Sequence, residues 1–254
     1  FDESIFSYHV YRDTCTGQTH KSYIEPLAGL LRHPLCCLQD NKYLVNKDYL
    51  IVDVDKLLPR LSCPSCPRKK QNLYFDMGAS LYTSGGGGAS QQWFVENYRS
   101  KGAPFNGIWA WEVKNQDPGK VFAQLPADVK PIYHWYNIPV NPEKGHADNA
   151  LRYVKNNANA EDFVVVKIDI DNNAVEMPII HQILEDNSEV SGLIDEMYFE
   201  HHVGVAKTGC VASKCDCLLK GCWGKSIGAN TTLRDSYDVF LRLRKKGIKA
   251  HPWV

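Results

Sequence analysis

The chain has 254 residues, 44% hydrophobic and 23% charged, which is enough apolar side chain for a sizeable core and excludes wholesale disorder. Its 29 basic and 29 acidic side chains cancel to a formal net charge of zero, which argues against a dedicated nucleic-acid binder, whose affinity rests on a basic face meeting phosphates. No apolar run approaches the roughly 20 residues of a membrane-spanning helix, so no integral membrane segment is expected.

Residues 1–70 read as an N-terminal extension. FSYHVYRD and YLVNKDYLIVDVDKLL are short β-like runs, and YIEPLAGLLRHP between them predicts a short helix stopped by Pro34. The Pro- and Cys-rich stretch SCPSCPRKKQ marks a boundary. From there strands and helices alternate. Strands are predicted at 73–77, 107–112, 130–136, 162–170, 193–202 and near 247–253, with helices at about 88–101, 146–157, 174–186 and 231–246. That rhythm means βαβ crossovers, hence an α/β fold with a mostly parallel sheet and helices on both faces over residues 71–254. Phe163 to Val166, a continuous apolar run, suits a strand covered on both sides.

The nine cysteines all lie at the two ends of the chain, with none between Cys66 and Cys210. Such flanks around a cysteine-free core fit disulfide-stapled loops in an oxidising lumen, and so a secretory-pathway or secreted protein. Zinc is the rival, because Cys63-Pro-Ser-Cys66 has ligand spacing, although the loop at 204–230 lacks a second C-x2-C pair. Asn230-Thr231-Thr232 is an N-glycosylation acceptor pattern that agrees with the secretory route.

Three constellations fall at predicted strand ends. In the first, LYFDMGAS ends a strand in Asp76 and turns through Gly78, Ala79 and Ser80, residues with almost no bulk; GIWAWE then ends the next strand in Glu112. Small residues after a strand allow close approach of a ligand, and an acid at the tip of the next strand suits a ribose hydroxyl pair. The dinucleotide fingerprint G-x-G-x-x-G is absent. The second constellation holds Lys167, Asp169, Asp171, Asn172 and Asn173, the third Glu196, Glu200, His201 and His202. Period-two alternation puts Lys167, Asp169 and Asp171 on one side of their strand and lets only one of the two histidines face a cleft there. Carboxylates and an imidazole at one edge suit a general base or a divalent cation, and equally the solvation and capping of strand and helix ends.

Taken together these segments resemble FkbM-type methyltransferases. DFVVVKIDIDNNAVEMPII and LIDEMYFEHH are similar to the family's D-F-[IL]-K-I-D-[VI]-[ED]-G-x-E and I-x-x-[IL]-x-[IVL]-E-x-H segments, LYFDMGAS to its D-[VI]-G-A-N turn, and GIWAWE to its second-strand acid. The four matches span about half the chain. The resemblance implies a Rossmann-like methyltransferase fold, S-adenosylmethionine as cofactor, and O-methylation of a sugar or other small-molecule hydroxyl. It places Asp76, Gly78, Ala79 and Ser80 against the cofactor and Glu112 on its ribose. Lys167, Asp169, Glu176, Glu200 and His202 match the later motifs, with Asp169, His202 and Lys167 as the catalytic candidates and no metal assigned. Three departures stand out: Asn172-Asn173 replace the glycine, Ser80 replaces the asparagine, and Gly85–Gly88 lengthen the loop over the cofactor. A methyltransferase sheet also ends in an antiparallel hairpin, for which only one short strand remains here. The alternative is a secreted binding or structural protein that keeps the fold without the reaction.

Overall fold

The computed structural model describes residues 6–12, 17–27, 47, 49–52, 54, 71–84, 89–201, 231 and 233–253. All nine cysteines, the four-glycine run and His202 lie outside the described residues. Strands β1 (Ser7–Arg12) and β2 (Thr19–Ile24) form an antiparallel hairpin of their own. Six further strands pair in parallel: β3 (Asn72–Met77), β4 (Gly107–Trp111), β5 (Tyr133–Tyr136), β6 (Phe163–Ile168), β7 (Glu196–Phe199) and β8 (Lys249–Pro252). Their lateral order is β5-β4-β3-β6-β7-β8. The chain thus steps outward from β3 to β5, crosses back to β6, and steps outward the other way, which puts a topological switch point between β3 and β6.

Helices cover both faces. Phe94, Val95 and Tyr98 of α1 (Ser90–Ser100) and Val121 of α2 (Pro118–Ala123) pack with Tyr74, Ile108 and Val165. On the other face, Val154 of α3 (Ala150–Asn157), Ile180 of α4 (Asn173–Leu184) and Phe240 of α5 (Leu233–Lys245) pack with Phe75, Val166 and Met197. Because both faces are covered, β3, β4, β6, β7 and β8 expose no residue, and β4 and most of β6 are apolar without alternation. The expected α/β class and mostly parallel sheet are therefore observed. Among the described residues no helix is long and apolar enough to cross a membrane.

Local chemistry moved several boundaries. Residues 130–132 are a 3-10 turn rather than strand, since Pro131 has no N–H for the ladder. The expected helix from residue 23 does not begin there: Tyr23 and Ile24 finish β2, and Pro26 disfavours helical backbone at Glu25. Residues 49–52 and 54, read as part of a strand, lie outside the strands, yet Leu50, Val52 and Val54 are buried against the α1 face. Among the described residues the extension packs on the core without joining its sheet, and the last strand, β8, runs parallel to β7.

Candidate functional site

The switch point opens at the carboxyl ends of the sheet strands, where Asp76 and Glu112 finish or follow the neighbours β3 and β4. Between them runs the Gly78–Ser80 turn, whose N–H groups are all spoken for. Gly78 and Ala79 donate to the Trp111 carbonyl at 3.1 and 2.9 Å, and Ser80 donates to Glu112 Oε2 at 2.9 Å. Its carbonyls are held as well: Gly78 accepts from Lys167 Nζ at 3.2 Å, and Gln91 Nε2 donates to those of Ala79 and Ser80 at 2.6 and 3.2 Å. Tyr133 in turn donates to Gln91 Oε1 at 2.7 Å. A turn saturated in this way offers no N–H cradle for a phosphate.

Gly78 has its own reason. Its φ is +88°, and a Cβ there would fall 1.7 Å from the Asp169 carbonyl oxygen. Its small size therefore serves the approach of the turn to the end of β6, across the switch point. Ala79 is fully buried in the core beneath α1, and Asp76 is fully buried too. Both side chains lie beneath the surface of the strand-end turn.

Beneath the turn lies a buried cation. Lys167 Nζ lies 2.8 Å from Asp169 Oδ2 and 3.3 Å from Asp76 Oδ1, with both Lys167 and Asp76 inaccessible to solvent. Burial alone would depress the ammonium, but Asp169 and Asp76 outweigh it and hold its pKa above that of an ordinary lysine. Lys167 is thus a fixed positive charge that orients Asp169, and it does not serve as a base. Burial pushes the Asp76 carboxyl up, opposed by Lys167 and reinforced by Asp169.

Glu112 is nearly buried, with Oε2 on the Ser80 N–H and Oε1 on the Lys114 N–H at 2.7 Å. Each oxygen retains acceptor capacity beyond the one bond. Asp169, Asp171 and Glu200 bring one carboxylate oxygen each within 4.8 Å of one another, from the ends of β6 and β7. As hard oxygen donors they suit a cation, organic or metallic. His201 turns away from them: its ring stacks on Phe199, and Nδ1 lies 2.5 Å from Ser236 Oγ of α5. His202, the other histidine of the pair, lies outside the described residues. Glu176 does not enter the cleft floor; it accepts from the Ile170 N–H at 2.8 Å, while Asn172 caps α4 through the Ala174 N–H at 3.0 Å.

The structure therefore gathers Asp76, Gly78, Ala79, Ser80, Glu112, Lys167 and Asp169 at one edge of the sheet, as three neighbouring strand ends. Gln91 and Tyr133 were not foreseen; a glutamine in a helix's first turn and a tyrosine after a 3-10 turn carry no signal of a shared buried bond. No protein-family model, curated protein or solved structure matches the chain. The chemistry of the cleft has to be read from its own groups.

Proposed function

We propose that the chain is an S-adenosylmethionine-dependent O-methyltransferase of FkbM type, acting on a hydroxyl of a sugar or other small acceptor within the secretory pathway. The observation that carries the reading is Glu112, a carboxylate at the tip of the strand beside the switch point, tied directly to the turn that follows β3. Two features support this cofactor over a dinucleotide. The saturated Gly78–Ser80 turn has no N–H groups for a pyrophosphate, and S-adenosylmethionine carries no phosphate. The carboxylates of Asp169, Asp171 and Glu200 favour a cationic ligand, such as a sulfonium or its α-ammonium.

When bound, S-adenosylmethionine supplies an electrophilic methyl group. The protein's own part is placement and proton removal. Glu112 accepts the ribose hydroxyls with its remaining lone pairs, and Ser80 keeps that carboxylate in place. Lys167, buried and permanently charged, fixes the direction of Asp169. Asp169 keeps part of its surface in solvent and takes the acceptor's proton, or passes that role to His202.

A second reading, a binding domain without turnover, is favoured by one observation: both Glu112 oxygens already hold backbone N–H groups, as a purely structural lock would. Thermal unfolding with S-adenosylmethionine, S-adenosylhomocysteine or NAD separates the cases. Ligand at 100 times its dissociation constant stabilises the fold by about 2.7 kcal/mol. A shift with the first two and none with NAD is expected; a shift with NAD alone overturns the cofactor assignment. Binding of both sulfur ligands with no methyl transfer to any hydroxyl acceptor tried would favour the second reading.

A further inference from the structure

At the outer edge of the sheet, beyond the cleft, a buried imidazole joins the N-terminal extension to the core. His251 of β8 lies between two carboxylates. Nδ1 is 2.8 Å from Glu25 Oε1 and 3.0 Å from Glu25 Oε2, and Nε2 is 2.9 Å from Glu196 Oε1. All three residues are buried, His251 and Glu196 completely. A neutral imidazole carries one N–H and can donate to one carboxylate; the imidazolium donates to both.

Further charged and polar groups pack around these three. From α5, Arg244 Nη2 lies 3.6 Å from Glu25 Oε1. From α1, the Tyr98 hydroxyl donates to Glu196 Oε2. On β7, Tyr198 stacks on the imidazole at 4.6 Å between centroids, and its hydroxyl is 3.3 Å from that of Tyr98. Lys249 of β8 reaches Ser22 Oγ of β2 at 3.3 Å. The Ile51 N–H donates to Glu25 Oε2 at 3.0 Å, so Glu25 also ties two separate parts of the extension together. With both carboxylates ionised, the imidazolium donates one N–H to each. With the ring neutral, one buried carboxylate faces a nitrogen lone pair.

We propose that His251 is a protonation-dependent clamp, holding the extension through Glu25 against the edge of the sheet. This inference is independent of the cofactor reading. Burial disfavours the imidazolium, but Glu25 and Glu196 outweigh it and hold the ring above its ordinary 6.5. Burial also opposes the Glu25 carboxylate, yet His251 outweighs it, with the Ile51 N–H and Arg244 adding to the effect, and keeps Glu25 below its ordinary 4.5. The signs give a window. A raised His251 contributes fully below pH 6.5, and its contribution disappears as pH rises through the folded value. A lowered Glu25 contributes fully above 4.5, and its contribution disappears as pH falls through the depressed value. The clamp is closed between these limits and opens on the alkaline side.

The test uses the full 254-residue chain. Long-range ¹H–¹⁵N spectra report the protonation of the His251 ring, and backbone hydrogen exchange, normalised for the intrinsic base-catalysed rate, reports the attachment of residues 19–27 and 49–52. At pH 6.5 a ring more than half doubly protonated is expected. From there to the alkaline end of its titration, protection of those residues should fall at least ten-fold while that of β3 and β6 is unchanged. Glu25→Gln should move both the ring titration and the loss of protection to lower pH together. A ring less than half protonated at pH 6.5, or protection that stays flat while the ring titrates, overturns the proposal. Should Glu25→Gln not fold, the titration of the unsubstituted chain decides alone.

Discussion

At the scale of single residues, the cleft is built from groups that serve each other before they serve a ligand. Glu112 shows this most directly. Glu112→Gln replaces a charged acceptor on the Ser80 and Lys114 N–H groups with one carbonyl and an NH2 that faces a donor. The loss of a charged acceptor is worth roughly 1.5–3 kcal/mol, so affinity for S-adenosylmethionine should fall about ten- to a hundred-fold. From sequence alone one would expect the free protein to be unaffected; the two backbone bonds instead imply a stability loss of about 1–3 kcal/mol in denaturant titration. An unchanged midpoint would mean that the carboxylate does not lock the turn. Gly78→Ala tests the floor. The left-handed backbone and the overlap with the Asp169 carbonyl should together cost about 2–5 kcal/mol. Asp169→Asn keeps the cleft's shape and should abolish turnover while binding of S-adenosylhomocysteine survives; retained turnover would remove Asp169 from the reaction.

At the scale of elements, what was legible were the strands and helices whose patterns reflect burial. The β6 segment, Phe-Val-Val-Val-Lys-Ile, is apolar on both faces because helices cover both, and its single lysine already marked a functional or paired charge. Less legible were features decided at a distance. The strand character of Thr19–Ile24 depends on pairing with Ser7–Arg12, and from sequence its last two residues, Tyr23 and Ile24, read as the start of a helix. The short helix α2 did carry its signal, an Asp117 cap accepting from the Gly119 N–H with Pro118 at the first turn, but a six-residue element leaves no periodicity to support it. The brace from β5 through α1 to the turn had no local signature at all. Tyr133→Phe should test it, leaving buried Gln91 Oε1 without its donor and lowering stability by about 1–3 kcal/mol in chemical denaturation. A neutral effect would show that Gln91 holds the turn unaided.

At the scale of the whole molecule, the six parallel strands in this order bring the candidate residues to one carboxyl edge, where β3 and β6, far apart in sequence, become neighbours at the switch point. Asp76, Glu112 and Asp169 were found as isolated strand-end acids; that Asp76 and Asp169 share one lysine followed only from the pairing of β3 with β6. The sheet ends in the parallel strand β8, where a methyltransferase resemblance leads one to look for an antiparallel hairpin, and the extension occupies the neighbouring surface through Glu25 and Ser22. The central claim is that this carboxyl edge holds S-adenosylmethionine, and calorimetric titration of the intact chain tests it most directly. One saturable site for S-adenosylmethionine, weakened ten-fold or more by Glu112→Gln, is the expected result. No heat with millimolar ligand, or an affinity indifferent to Glu112, would contradict the account.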